Sequence, residues 1–159
     1  MNNGLKIIFF GTPDFAIESL DSLYNSHHEL LCVVTSSDKK SGRGMKINFS
    51  AVKKFSINNN LKLIQPKSLN DEGFILELRQ FKADLFIVVA FKFLPKKIWE
   101  IPKLGTINIH ASLLPNLRGA APINWALING LKETGLTSFF INEKIDSGDI
   151  ILQEKLLIN

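Results

Sequence analysis

The sequence has few of the residues and runs that build disulfide-stabilised or membrane-spanning proteins. Cys32 is the single cysteine among 159 residues, which excludes an internal disulfide. It lies inside the apolar run LLCVV, where a small buried core residue is the expected role rather than a nucleophile. No apolar stretch reaches the about 18 residues of a membrane span, and the N-terminal segment MNNGLKIIFFGTPDF lacks the charged region and cleavage site of a signal peptide. A cytoplasmic protein is the expectation.

Two common cofactor-binding motifs are also missing. The first apolar run is followed by GTPDFA and not by G-x-G-x-x-G, so no second glycine allows a pyrophosphate to approach the backbone. Neither H-E-x-x-H nor a paired-cysteine pattern occurs, and a metal site therefore has no support. The sequence disfavours a dinucleotide cofactor and predicts no metal.

The composition is that of one ordinary globular domain. Hydrophobic residues make up 45% and charged residues 21% of the chain, and its length is sufficient to bury a core. The net charge of +4 is a mild indication of an anionic partner, because a basic surface attracts phosphates. By itself this charge does not identify the partner.

Alternating strand and helix patterns predict an α/β fold with a mostly parallel twisted sheet and helices on both faces. Apolar runs predict strands at 5–10, 29–35, 61–64, 83–91, 105–110, 137–142 and 149–158. Helical periodicity predicts a helix capped by Asp14, a helix at 50–58 capped by Ser50, and helices at 72–81, 95–99 and 122–130. Residues 36–46, SSDKKSGRGMK, are expected to form a polar loop.

Several polar segments follow predicted strands, at the sheet edge where α/β proteins bind ligands. Asn108 and His110 are two residues apart in such a strand, so their side chains share one face while Ile107 and Ile109 share the other. An amide and an imidazole at one point can donate hydrogen bonds to the oxygen that becomes negative during acyl transfer. A core histidine is the alternative interpretation of His110.

A carboxylate in the turn KIDSGD is a candidate third member of this group. Asp146 in that position can orient His110 and relay protons. The alternative is that Asp146 only closes its turn with its own side chain.

Four segments together resemble the methionyl-tRNA formyltransferase family: FFGTPDFA, SGRG, NIHASLLPNLRGAAPINWAL and IDSGDI. They occur in order and with compatible spacing over essentially the whole chain. The N-x-H, SLLP and D-[ST]-G-D segments are shared by folate-dependent formyltransferases, whereas GTPDFA, GRG and RGAAPI are typical of the methionyl-tRNA members. The resemblance implies a Rossmann-like formyltransferase fold.

The resemblance also implies a reaction. The donor would be 10-formyltetrahydrofolate and the acceptor the α-amine of methionine on initiator tRNA, with no metal involved. Asn108 and His110 would stabilise the oxyanion, and Asp146 would hold His110 and assist proton transfer. The residues implied in folate binding are Ser112, Leu113, Leu114, Pro115, Phe91 and Leu94.

The polar loop carries the residues that the resemblance implies in tRNA binding. They are Arg43, which lies in the GRG segment, and Lys39, Lys40 and Lys46. Cations on a loop suit contact with phosphates, although a solvated basic loop is the commoner meaning of such a charge run. We expect a monomer that does not contact a membrane.

The resemblance further predicts how much of the family's chain is present. Residues 1–159 are expected to form the catalytic domain, incompletely, without the C-terminal β-barrel with which the family grips tRNA. Two other functions stay open: a folate-dependent formyltransferase with a small-molecule amine acceptor, and an inactive fragment that binds folate or tRNA.

Overall fold

The computed structural model describes residues 4–41 and 46–158. The strands are β1 (Lys6–Gly11), β2 (Glu29–Val34), β3 (Lys39–Ser41), β4 (Lys46–Asn48), β5 (Leu63–Ile64), β6 (Leu85–Val89), β7 (Thr106–His110), β8 (Glu133–Phe140) and β9 (Ile150–Leu157). The helices are α1 (Ile17–Tyr24), α2 (Ala51–Asn58), α3 (Glu72–Gln80), α4 (Lys96–Trp99) and α5 (Pro122–Ile128), and a 3-10 turn, Asp14–Ala16, precedes α1.

Seven strands form one sheet in the order β5-β2-β1-β6-β7-β8-β9. The pairs from β5 to β7 are parallel, whereas β8 pairs antiparallel with β7 and β9 pairs antiparallel with β8. The predicted α/β fold with a mostly parallel sheet is confirmed. β7 is the boundary strand, since it is parallel to one neighbour and antiparallel to the other.

Helices cover both faces of the parallel region, as predicted. On one face Ile8 and Phe86 are buried against Leu78 of α3. On the other face Phe9 is buried with Leu20 of α1. Because strand side chains alternate between faces, consecutive apolar residues such as those of β1 serve two cores at once.

Local capping explains where several helices begin. Ser50 Oγ accepts the Lys53 N–H at 3.0 Å, which confirms Ser50 as the cap of α2. Asp71 Oδ1 accepts the Phe74 N–H at 2.8 Å at the start of α3. The prediction that Asp14 caps a helix is wrong: Asp14 is the first residue of the 3-10 turn, and α1 begins at Ile17 without a side-chain cap.

Two strand boundaries also differ from the predictions. The expected polar loop contains β3 and β4, which pair antiparallel with each other. β8 begins at Glu133, before the predicted start at residue 137, because it pairs with β9 as far as Leu157. A polar sequence such as KETG shows little strand character alone, and the pairing partner provides the missing hydrogen bonds.

Cys32 lies in β2 and is buried, as predicted for a core residue. Burial raises the pKa of its thiol to about 12. Since the thiolate is the reactive form, this cysteine is chemically inert in the folded protein.

Strand β9, in contrast to the buried residues of β2, is exposed to solvent. It is the outermost strand beside β8, and all eight of its residues are exposed. Five of them are Ile or Leu. The sheet therefore has a buried parallel region and an antiparallel margin, formed by the partly buried β8 and the exposed β9.

Candidate active site

The candidate site begins at the end of β7. Ile107 and Ile109 pack against the core that α1 and α2 cover. Asn108 and His110 both line a cleft with a volume of about 760 Å³. The predicted alternation thus brings the amide and the imidazole to the same cleft.

His110 is held by a backbone carbonyl. Its imidazole is largely buried, and Nε2 lies 2.9 Å from the carbonyl oxygen of Leu117. Because a carbonyl can only accept, this hydrogen bond requires a proton on Nε2. The other ring nitrogen, Nδ1, lies on the side of Asp146.

Asp146 meets His110 from the segment between β8 and β9. Its Oδ2 lies 3.7 Å from His110 Nδ1 and accepts the Gly119 N–H at 2.7 Å. The backbone of Asp146 is left-handed, with φ of 46°, a conformation that aspartate tolerates better than most residues. The contact from Gly119 holds the carboxylate beside the imidazole.

Asn108, His110 and Asp146 are therefore brought together, from a strand end and from a turn distant in sequence. Phe91 and Leu94, expected at the folate site, also line this cleft. A largely apolar cleft with a few convergent polar groups is typical of a small-molecule site.

The SLLP turn does not reach the cleft lining. Ser112 is fully buried, and its Oγ donates to the Asn116 carbonyl at 2.7 Å. Thr137 of β8 donates to the Ser112 carbonyl at 2.7 Å and accepts the Leu114 N–H at 3.1 Å. These contacts brace the turn that begins after β7. Contact of Ser112, Leu113, Leu114 and Pro115 with folate stays a prediction.

The residues expected to bind tRNA are only partly described. Arg43 lies outside the described residues. Lys39 and Lys40 belong to β3 and Lys46 to β4, but their side chains also lie outside the described part of the chain. Their role therefore stays a prediction.

Sequence reasoning missed the contribution of the loop at 117–121. Leu117 and Gly119 provide the backbone groups that hold His110 and Asp146, and residues 119–124 line the cleft. Leu117, Gly119 and Ala121 all have positive φ. The glycine in the segment RGAAP was the available signal, since glycine often marks a left-handed position.

The described residues contain neither a metal-ligand cluster nor a membrane-spanning helix. Within residues 4–41 and 46–158, no three or more His, Cys, Asp or Glu side chains group together in a way that could hold a metal ion. None of the helices described in this structure is long and apolar enough to cross a membrane.

The sequence matches the model of a known protein family over nearly its whole length. A family model described as formyl transferase matches residues 5–159. The chain belongs to this formyl transferase family.

Two curated proteins with similar sequences are both methionyl-tRNA formyltransferases. The chain is 55% identical to a methionyl-tRNA formyltransferase of Flavobacterium johnsoniae, over 97% of this chain and 49% of that protein. It is 53% identical to a methionyl-tRNA formyltransferase of Bacteroides thetaiotaomicron, over 97% of this chain and 48% of that protein. The chain thus spans about half the length of the curated relatives it matches.

Solved structures share the fold at low identity. A phosphoribosylglycinamide formyltransferase from Bacillus halodurans aligns with a TM-score of 0.76 and 18% identity, over 97% of this chain and 80% of that chain. A formyltetrahydrofolate deformylase from Pseudomonas syringae aligns with a TM-score of 0.74 and 20% identity, over 99% of this chain and 52% of that chain. These likenesses show the formyltransferase fold.

Proposed function

We propose that this chain carries the catalytic module of an enzyme that formylates methionyl initiator tRNA, with 10-formyltetrahydrofolate as the donor. The observation that carries the proposal is the convergence of Asn108, His110 and Asp146 in one cleft. The identity to methionyl-tRNA formyltransferases, at 53–55% over nearly all of this chain, supports this acceptor over a small amine.

The proposed reaction moves one formyl group between two nitrogen atoms. The α-amine of methionine attacks the formyl carbon, a new C–N bond forms, and the bond from that carbon to N10 of the folate breaks. The amine loses a proton and the leaving nitrogen gains one. The formyl oxygen carries negative charge between these two events, so donors aimed at it lower the barrier.

Asn108 and His110 are the proposed donors to this oxygen. The amide of Asn108 provides one N–H. Since Nε2 of His110 is held on the Leu117 carbonyl, Nδ1 is the nitrogen that we assign to the reaction. Asp146 Oδ2 lies 3.7 Å from Nδ1 and would hold the imidazole in place and assist proton transfer from the amine to the leaving nitrogen. Each donor is worth about 3 kcal/mol of barrier.

The substrates would approach this centre from two directions. Phe91 and Leu94 would contact the pterin inside the cleft, and Ser112, Leu113, Leu114 and Pro115 would shape the turn beside the folate. Lys39, Lys40, Arg43 and Lys46 would contact phosphates of the tRNA acceptor end, which would make binding depend on salt concentration.

The proposal is tested by incubating the full chain with 10-formyltetrahydrofolate and methionyl-tRNA and measuring N-formylmethionine. Asn108→Ala and His110→Ala are each expected to lower kcat by about a hundredfold or more. The exposed His27→Ala variant is the matched control and should retain wild-type turnover. Circular dichroism checks that each variant folds.

Three results would count against the proposal. Turnover that survives both substitutions would contradict the roles assigned to Asn108 and His110. Formylation of a small amine but not of methionyl-tRNA would assign a different acceptor. Folate binding without turnover by the wild-type chain would identify a binding fragment rather than an enzyme.

A further inference from the structure

The connection between β8 and β9, residues 141–149, carries Asp146 into the cleft. Its two ends are held together by backbone contacts. The Phe140 N–H donates to the Asp149 carbonyl at 3.0 Å, and a Cβ at Gly148 would overlap the Phe140 carbonyl oxygen. These contacts fix the ends of the connection but not the residues between them, so the position of Asp146 needs contacts of its own.

Asn142 holds the interior of this connection. Its Oδ1 accepts the Lys144 N–H at 2.9 Å and lies 3.2 Å from Ser147 Oγ. Lys144 precedes Asp146 by two residues, and Ser147 follows it directly. One amide oxygen thus contacts the chain on both sides of Asp146. Because a backbone N–H can only donate, the contact with Lys144 requires an acceptor oxygen at residue 142.

The backbone of Asp146 needs this support. Its φ of 46° lies in the left-handed region, which a residue with a Cβ adopts only where the surrounding structure fixes it. In this conformation Asp146 Oδ2 accepts the Gly119 N–H at 2.7 Å and lies 3.7 Å from His110 Nδ1. Relaxation of the turn would withdraw the carboxylate from both groups.

A second contact of the same connection lies on the surface. Lys96 Nζ donates to Glu143 Oε1 at 2.5 Å, and the two side chains are 56% and 69% exposed. The hydrogen bond from Lys96 lowers the pKa of the Glu143 carboxyl. Water screens such an exposed pair, which therefore contributes little to the position of Asp146. Glu143 is thus a suitable control for its neighbour Asn142.

We propose that Asn142 is a positioning residue of the candidate active site, whose amide oxygen fixes the left-handed turn at Asp146 and so sets the distance from that carboxylate to His110. This inference rests on the proposed function, in which Asp146 holds the imidazole and assists proton transfer. Asn142 also lines the cleft, so direct contact with a substrate is the competing role. A double-mutant cycle distinguishes the two roles.

Kinetics with 10-formyltetrahydrofolate and methionyl-tRNA provide this cycle. Asn142→Leu keeps the size but removes the acceptor, and it is expected to lower kcat by about tenfold while both KM values change by less than about twofold. Asn142→Asp keeps the oxygen and should restore most of the activity. Glu143→Gln, the matched control, should change kcat by less than about twofold. The double variant Asn142→Leu with Asp146→Asn should be as slow as Asp146→Asn alone, because Asn142 acts through Asp146.

Amide hydrogen exchange, followed by NMR, examines the turn without any substrate. The Gly119 amide is the reporter, since it donates to Asp146 Oδ2. Asn142→Leu is expected to accelerate its exchange by about tenfold, whereas Asn142→Asp and Glu143→Gln should leave it unchanged. The Phe140 amide, which donates to Asp149, should exchange at the wild-type rate in all three variants, because the ends of the connection stay closed.

Several outcomes would overturn the role of Asn142. Wild-type exchange of Gly119 in Asn142→Leu would show that the turn does not depend on this side chain. Accelerated exchange at Phe140 as well would mean that Asn142 supports the whole connection rather than the turn. A loss confined to KM, or a double variant much slower than Asp146→Asn, would assign Asn142 a direct contact with substrate.

Failure of the proposed function would look different. A wild-type chain that does not formylate methionyl-tRNA would overturn that function. The exchange rate of the Gly119 amide would still decide whether Asn142 fixes the turn, because that measurement needs neither folate nor tRNA.

Discussion

Strands β1 and β9 belong to one sheet and are both rich in apolar residues, yet their surroundings are opposite. In β1, the residues from Ile7 to Phe10 are almost completely buried, because neighbouring strands flank both edges and helices cover both faces. In β9, Leu152 is 66% exposed and Leu157 is 76% exposed. An apolar run therefore predicts a strand, whereas the position of that strand in the sheet decides whether its side chains contribute to stability.

The candidate active site lies between these two regions. His110 ends β7, which is parallel to β6, and pairs with Thr137 of the antiparallel strand β8. Asp146 lies in the segment that connects β8 to β9, the two antiparallel strands of the margin. The buried region thus provides the rigid support for the imidazole, and the margin provides the carboxylate that meets it.

The largest expected difference between the regions concerns stability. Phe86 is fully buried, and its ring lies 5.2 Å from that of Phe10. Phe86→Ala should lower the free energy of unfolding by about 3–5 kcal/mol, because it leaves a cavity in the core. Urea unfolding measures this loss. Leu157→Ala in β9 is the comparison and should cost less than about 0.5 kcal/mol; similar losses at both positions would contradict the division into two regions.

Thiol reactivity should differ by about a hundredfold between the same regions. Burial raises the pKa of Cys32 to about 12, so the folded protein holds this thiol protonated at pH 8. A cysteine introduced as Leu152→Cys should react with Ellman's reagent at least about a hundredfold faster than Cys32. Urea should remove the difference. Rapid reaction of Cys32 in the native wild-type chain would show that β2 opens locally.

A smaller effect is expected where the margin is tightly packed. A Cβ added at Gly135 of β8 would lie 2.2 Å from the Glu154 carbonyl oxygen of β9. Gly135→Ala should destabilise the chain by about 1–3 kcal/mol and force β9 away from β8. Hydrogen exchange should then accelerate in β9 more than in β1. Equal acceleration in both strands would mean that the sheet opens as a single unit.

The smallest effect on stability is expected on the outer surface of β9. Leu152→Gln replaces an exposed leucine by a polar residue and should change the free energy of unfolding by less than about 0.5 kcal/mol. The same substitution should reduce binding of the dye ANS, which reports exposed apolar surface. A loss of stability comparable to that of Phe86→Ala would show that Leu152 contributes to a core.

The sequence was informative where local periodicity determines the structure. The apolar run of β1 and the capping residue Ser50 were both found from short-range patterns. The alternation of Asn108 and His110 with Ile107 and Ile109 also follows from strand geometry alone, because side chains alternate with a period of two.

Contacts between distant segments account for what the sequence did not show. The hydrogen bond from Gly119 to Asp146 spans 27 residues, and no local pattern encodes such a distance. The pairing of β3 with β4 and the early start of β8 likewise depend on partner strands. The composition of β9 matches that of a buried strand, and its exposure depends on its outermost place in the sheet rather than on its own residues.

The hydroxyl of Thr137 connects strand β9 with the turn after β7. It donates one hydrogen bond, to the Ser112 carbonyl, and accepts two, from the Leu114 N–H and from Gln153 Nε2 of β9, which fills its bonding capacity. Gln153 Nε2 also donates to the Leu114 carbonyl at 2.8 Å. One amide of β9 thus joins this strand to the turn after β7, although the isoleucine and leucine side chains of the strand are exposed. Loss of the Gln153 amide would therefore remove the side-chain hydrogen bonds that join β9 to the turn after β7.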